Sequence, residues 1–175
     1  MADFYQKIVD MHGTVEELVR RVPGFKGYFE KQDRRAADKL IREKLARMFG
    51  EQVGEFVRLQ RKLVDAGGLE YMGRVQGIQT RLQTLIDKID SAAQGYTGLF
   101  DVVKVDENAL AHVYAFDNGL FVYQDQLATG LKEFGEAIGT EKVRGVLDQL
   151  DGLSSEIVAT FGKRIDVLRG LETSV

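Results

Sequence analysis

The sequence predicts an all-α protein, an elongated antiparallel helical bundle of about five helices. Three observations carry that expectation. Apolar residues recur every three to four positions over most of the 175 residues, the spacing that turns one helix face toward a partner. Only one proline, Pro23, interrupts the chain, and proline is the residue a helix interior tolerates least. Short glycine-bearing breaks separate the periodic stretches, as tight helix–helix connections require.

The first helix is predicted over 3–22. Phe4, Ile8, Met11, Val15, Leu18 and Val22 step by four, three, four, three and four residues, one continuous seam of the coiled-coil kind. The seam crosses Gly13. A break there would make Thr14 and Glu17 a capping box, but the unbroken seam favours one helix. Pro23-Gly24-Phe25-Lys26-Gly27 ends it, because proline cannot continue the hydrogen-bond ladder and glycine permits a sharp turn. The second helix is predicted over 29–66, with Ala37, Leu40, Ile41, Leu45, Met48, Phe56, Leu59 and Leu63 inward. Gly67-Gly68 stops it.

A third helix is predicted over 69–93, on Leu69, Met72, Val75, Ile78, Leu82, Leu85, Ile86 and Ile89. Residues 94–106 form the longest break and read as a loop, with Asp106 suited to cap the next helix. That fourth helix, over 107–138, carries Leu110, Val113, Tyr114, Leu120, Phe121, Leu127, Leu131, Phe134 and Ile138. Gly139-Thr140 breaks it, Thr140 being a plausible cap. The fifth helix, over 141–170, uses Val143, Val146, Leu147, Leu150, Leu153, Ile157, Phe161, Ile165 and Leu168. Short connections make consecutive helices antiparallel neighbours, and no shift in composition marks a second domain within 1–175. Twelve of the 19 glycines fall inside predicted helices, each costing about 1 kcal/mol against alanine at an exposed site. Close helix approach at Gly73 and Gly77, four apart on one face, is one way to offset that.

Composition removes several kinds of chemistry. No cysteine is present, so disulfides, thiolate metal sites and cysteine nucleophiles are excluded. Neither His12 nor His112 has a glutamate three residues before it, as the di-iron bundle pattern needs. His-Glu-x-x-His, the phosphate-binding P-loop, Gly-x-Gly-x-x-Gly after a strand and Gly-x-Ser-x-Gly do not occur. Acidic pairs such as Glu16-Glu17 and Asp148 with Asp151 read as solvated helix faces. The reading is therefore not an enzyme, with no catalytic residue, no cofactor and no metal. No apolar run reaches the 18 residues a membrane span needs, and the N-terminus has no secretory h-region.

Charge is the marked asymmetry. Residues 1–62 hold 14 Lys or Arg against 10 Asp or Glu, a net of +4. Residues 63–175 hold 10 against 17, a net of −7, within a total of −3. Arg20, Arg21, Lys26, Lys31, Arg34 and Arg35 surround Phe25, Tyr28 and Phe29. Cations around aromatics suit an acidic protein partner, including the acidic half of a second copy. They also suit an anionic membrane surface, with rings at headgroup level. Nucleic acid is disfavoured by the pI near 5.5 and the lack of a binding motif. The bland alternative is a solvated face laced by i,i+4 pairs, for which Asp38–Arg42, Glu30–Arg34 and Glu43–Arg47 have the spacing.

Two stretches carry a resemblance. One is Val22-Pro23-Gly24-Phe25-Lys26-Gly27-Tyr28 with Asp33-Arg34-Arg35-Ala36-Ala37-Asp38. The other is Gly95-Tyr96-Thr97-Gly98-Leu99-Phe100-Asp101-Val102-Val103-Lys104-Val105-Asp106-Glu107 with Tyr114-Ala115-Phe116-Asp117. Together they resemble an uncharacterised bacterial family of helical proteins, some encoded near stomatin/flotillin-type or phage-shock-type membrane proteins. The resemblance implies a helical fold and a link to membranes, and supplies no catalytic residue. Read from the residues alone, both motifs place rings at inter-helix breaks: Phe25 and Tyr28 at one, Tyr96, Leu99 and Phe100 at the other. There they would plug the bundle ends. Asp117 falls near the apolar seam, with Arg34 or Arg35 as a conceivable partner.

The sequence is thus read as a non-enzymatic scaffold or protein-interaction module, cytoplasmic and self-associating as a homo-oligomer or binding another protein. Its candidate contact residues are Arg20, Arg21, Phe25, Lys26, Tyr28, Lys31, Arg34 and Arg35. The alternative is a peripheral membrane or envelope-stress protein using the same turn on anionic lipid.

Overall fold

The computed structural model describes residues 15–31, 33–95 and 107–164, with backbone only at 15, 34, 93–95 and 107–112. Six α-helices and one 3-10 turn occupy the described residues, and no strand is found among them. In chain order they are α1 (Val15–Arg21), α2 (Phe25–Glu30), α3 (Arg34–Asp65), the 3-10 turn (Leu69–Tyr71), α4 (Met72–Gly95), α5 (Glu107–Ala137) and α6 (Val143–Gly162). The all-α expectation holds. The helix predicted to end at 93 runs on to Gly95, so the expected loop does not begin at 94; residues 96–106, the Asp106 cap, His12, Tyr96, Leu99, Phe100, Ile165 and Leu168 lie outside the described residues, as does the question of a break at Gly13.

α3 is built on a three-four repeat. Asp38, Ile41, Leu45, Phe49, Gln52, Phe56, Leu59 and Leu63 are all buried. Its 32 residues span roughly 48 Å at 1.5 Å per residue. The predicted second helix, 29–66, is in fact two. The chain breaks between Glu30 and Arg34, where the Asp33 carboxylate accepts the Ala36 N–H at 3.1 Å and caps α3. The turn before it is also tighter than expected. Gly24 takes the left-handed conformation at φ 87°, so α2 begins at once with Phe25, and Gly27 lies inside it. At the far end, Gly67 is left-handed at φ 84°. Its N–H donates to the Val64 carbonyl, and the Gly68 N–H to the Leu63 carbonyl, both at 2.9 Å. That pairing satisfies the last carbonyls of α3 and stops it.

The four long helices form a ring in which α3 and α6 each pack on both α4 and α5. Along the chain they alternate in direction. α3 and α4 are antiparallel neighbours, joined where Gln60 donates to Gln79 at 2.9 Å. α5 and α6 are the second antiparallel pair, with the Tyr123 hydroxyl on Glu156 at 2.7 Å. The expectation that every consecutive pair is side by side fails between α4 and α5, which are not packed neighbours. Only short connections force adjacency, and more residues separate α4 from α5 than any other consecutive pair of described helices. The other neighbours are consequently parallel. Gln52 reaches the Gln124 carbonyl at 2.7 Å, and the rings of Phe56 and Phe134 lie 5.7 Å apart, so α3 and α5 run together. Arg74 pairs with Asp148 and Arg81 with Asp151, so α4 and α6 do too. These acids, expected on a solvated face, tie α6 to α4.

One core fills the ring. The first third of α5 differs from the rest: every described side chain from Val113 to Phe121 is buried. A helix covered all round needs a second layer, and α1 on α5 with α2 on α3 provide it. Leu69, expected inward, is 66% exposed because it lies in the 3-10 turn rather than on α4. The glycine expectation is corrected as well. A Cβ on Gly73 would meet nothing, and one on Gly77 only the Arg81 side chain. Close approach occurs instead at Gly130, where a Cβ would come 2.8 Å from Leu150, and at Gly135, 3.1 Å from Leu59.

Candidate functional site

The residues with charge and aromatic character converge on one end of the bundle, where α3 and α5 begin and α6 finishes. They form two structures, one buried and one on the surface.

The buried structure is a four-membered charge network. Arg164, just beyond α6, is 1% exposed. It donates from Nε to Asp117 Oδ1 at 2.7 Å and from Nη2 to Asp117 Oδ2 at 2.8 Å, a two-pronged pairing. The same Nη2 donates to Asp38 Oδ1 at 2.7 Å. Arg42 Nε completes the set on Asp38 Oδ2 at 2.8 Å. Two cations and two anions leave the cluster neutral, the condition under which charges survive burial. Complete burial pushes the Asp117 carboxyl up from the ordinary carboxylate range, and Asp38 pushes the same way. The Arg164 and Arg42 guanidiniums pull it back. The network joins α3, α5 and the end of α6, so its evident work is to lock three helices in register.

Among the described side chains the partner of Asp117 is Arg164, not Arg35. Arg35 is exposed; the Arg34 side chain lies outside the described residues, and with it the Glu30–Arg34 pair. Asp38 and Arg42 do pair, but inside the protein rather than on a solvated face. Glu43 faces Lys39 at 3.7 Å instead of Arg47. The signal for the network was present: positions 38 and 42 continue the three-four seam of α3. Arg164 gave the same signal, since it continues the three-four seam of Leu147, Leu150, Ser154, Ile157 and Phe161; its partners did not show in the spacing.

The surface structure is the basic aromatic turn. Phe25 is fully buried, because α2 starts immediately after Gly24 and turns that ring onto α5. It meets Tyr114 edge-on at 5.1 Å and stacks on Phe29 at 5.9 Å. As a contact residue Phe25 is therefore corrected to a core plug. Tyr28 and Phe29 are the reverse, 39% and 38% exposed. Phe29 has one face on Phe25 and Tyr114 and is held rigidly while part of it remains in solvent. Lys26 and Lys31 are exposed beside them. Arg20 reaches outward but pairs with Glu17 at 2.6 Å. Arg21 lies along the surface of α5, 2.9 Å from the exposed Asp125, a contact that fastens α1. The structure thus brings Lys26, Tyr28, Phe29 and Lys31 together, with Arg35 at the start of α3. Phe29, absent from the sequence-derived contact set, joins it.

Among the described residues no three His, Asp or Glu side chains gather as metal ligands, and no helix is long and apolar enough to cross a membrane. His112 has no described side chain. Comparison with known protein families, characterised proteins and solved structures finds no match.

Proposed function

We propose that the chain is a non-catalytic interaction module that self-associates through the basic aromatic turn. The supporting observation is the pair Tyr28 and Phe29, each more than a third exposed, on a helix bordered by exposed Lys26 and Lys31. The Phe29 ring, held at its base by Phe25 and Tyr114, loses little freedom on binding, and aromatic residues dominate binding energy at interfaces. Lysines at the rim favour an acidic counterpart and speed the encounter. The ion network beneath fixes the helices that carry the turn.

The same chemistry would suit anionic lipid, the reading that the motif resemblance favours. The geometry supports it less well. α2 has six residues, too few to lay an apolar face along a headgroup layer, and one of its two phenylalanines, Phe25, points inward.

Sedimentation velocity over a range of protein and salt concentrations tests the proposal, beside co-sedimentation with neutral and anionic vesicles. Concentration-dependent association is expected, weakened by salt and by Lys26→Glu with Lys31→Glu, with no pelleting by either vesicle. A chain that stays monomeric and pellets with anionic vesicles would transfer the turn to the lipid reading.

A further inference from the structure

A shallow groove of about 410 Å³ runs between α5 and α6 on the bundle's side. Val122, Val146, Leu150 and Leu153 make its floor apolar, and Asp125 and Glu133 lie along it. None of its lining residues is a cation. Gly130 lies in its floor, where a Cβ would come 2.8 Å from the end of the Leu150 side chain. Leu150 is itself buried, while Val122, Val146 and Leu153 are each half-buried. Elsewhere the bundle has the converse feature: two partly exposed rings, Tyr28 and Phe29, beside exposed Lys31 and Lys26, the latter 3.8 Å from Glu30.

From this complementarity we infer that the α5/α6 groove is the receptor for the basic aromatic turn of a second copy of this chain. The inference rests on the proposed self-association and names the surface that receives the turn. Rings would displace water from the apolar floor, and Lys26 and Lys31 would approach Glu133 and Asp125, of which Asp125 already holds Arg21 of its own chain. An aromatic anchor in an apolar slot with charges at the rim is the usual anatomy of a binding hot spot. Knob and groove are different surfaces, so the contact is heterologous. It closes as a dimer if two copies exchange knobs and otherwise extends as a chain.

Complementation between variants tests this specifically. The knob variant is Tyr28→Ser with Lys31→Glu. The groove variant is Thr129→Arg with Gln149→Arg, two exposed positions where added cations repel the lysines without entering the core. Circular dichroism should show both folded. Each alone should associate at least about tenfold more weakly than the wild type, the equivalent of one modest hot-spot contact. Mixed together they should associate, since one keeps its groove and the other its knob. A mixture that stays monomeric overturns the inference. If the knob variant dissociates and the groove variant does not, the groove assignment falls while the function proposed for the turn stands. A monomeric wild type overturns both.

Crosslinking identifies the occupant directly, because the chain has no native cysteine. A thiol–amine reagent on Gln149→Cys should reach Lys26 or Lys31 of an isotopically distinct copy. Reaction with Lys7 of its own chain alone would give the groove to the N-terminal segment instead and overturn the inference.

Discussion

Replacing Arg164 by methionine should destabilise the protein by about 3–5 kcal/mol, the range seen when one partner of a buried ion pair is removed. Arg164 donates three charge-assisted hydrogen bonds, at 2.7, 2.8 and 2.7 Å. At about 1.5–3 kcal/mol each they set a ceiling of roughly 4.5–9 kcal/mol. Relief from burying a guanidinium lowers that figure, and methionine's apolar bulk recovers some packing. What remains is a cluster of two carboxylates facing only Arg42, with a net charge of −1 in a dry interior. Urea unfolding followed by far-UV circular dichroism measures the loss. With a slope of about 2–3 kcal/mol per molar, the midpoint should fall by roughly 1–2 M.

The same variant should show a pH signature. Without Arg164, burial and Asp38 raise the Asp117 carboxyl with only Arg42 opposing. A carboxyl whose folded pKa exceeds its unfolded value stabilises the fold fully below the unfolded value, near 3.9. That contribution disappears as pH rises through the raised folded value. The gap between wild type and variant should therefore widen as pH rises above about 4. In the wild type, Arg164 pulls against the rise and the dependence is shallower. A midpoint shift below about 0.5 M, or a gap that narrows with rising pH, would refute the neutral-network account.

Two further outcomes check the packing. Gly54→Ala should stabilise α3 by up to about 1 kcal/mol, since the position is exposed and a Cβ meets nothing. Gly67→Ala should instead cost about 1–2 kcal/mol, because φ 84° is left-handed. Equal effects in thermal melts would contradict the backbone assignment. Phe25→Ala should cost about 3–5 kcal/mol as a buried ring is lost, lowering Tm by roughly 10 °C in a chain of this size. An unchanged melting curve would return Phe25 to the surface.

How far the sequence reached differs by element. α4 is the clearest case: Val75, Ile78, Leu82, Leu85 and Ile89, all assigned inward from spacing, are fully buried. Gly67-Gly68 and Gly139 also ended helices as expected. The break before α3 was missed because Asp33 read as one of several charges rather than as a cap, and the apolar list resumed only at Ala37. Phe49 was passed over although it continues the α3 seam. At the site, spacing placed the rings at the right turn but could not say that Phe25 points inward and Phe29 outward. That depends on where α2 begins, which Gly24 sets by one backbone angle.

The all-α class, the positions of most turns and the buried stripe of each long helix follow from the sequence because they rest on contacts three or four residues apart. Which helices lie side by side, the parallel pairing of α3 with α5, the partnership of Asp117 with Arg164 and the α5/α6 groove required the tertiary structure. A helical stripe specifies that a face must be covered but not by what, and the partners of Arg164 are 47 and 126 residues distant along the chain. Spacing marks position 164 as inward-facing but cannot name the carboxylates that meet it. Its environment is set only when the packing of the other helices removes the water around it.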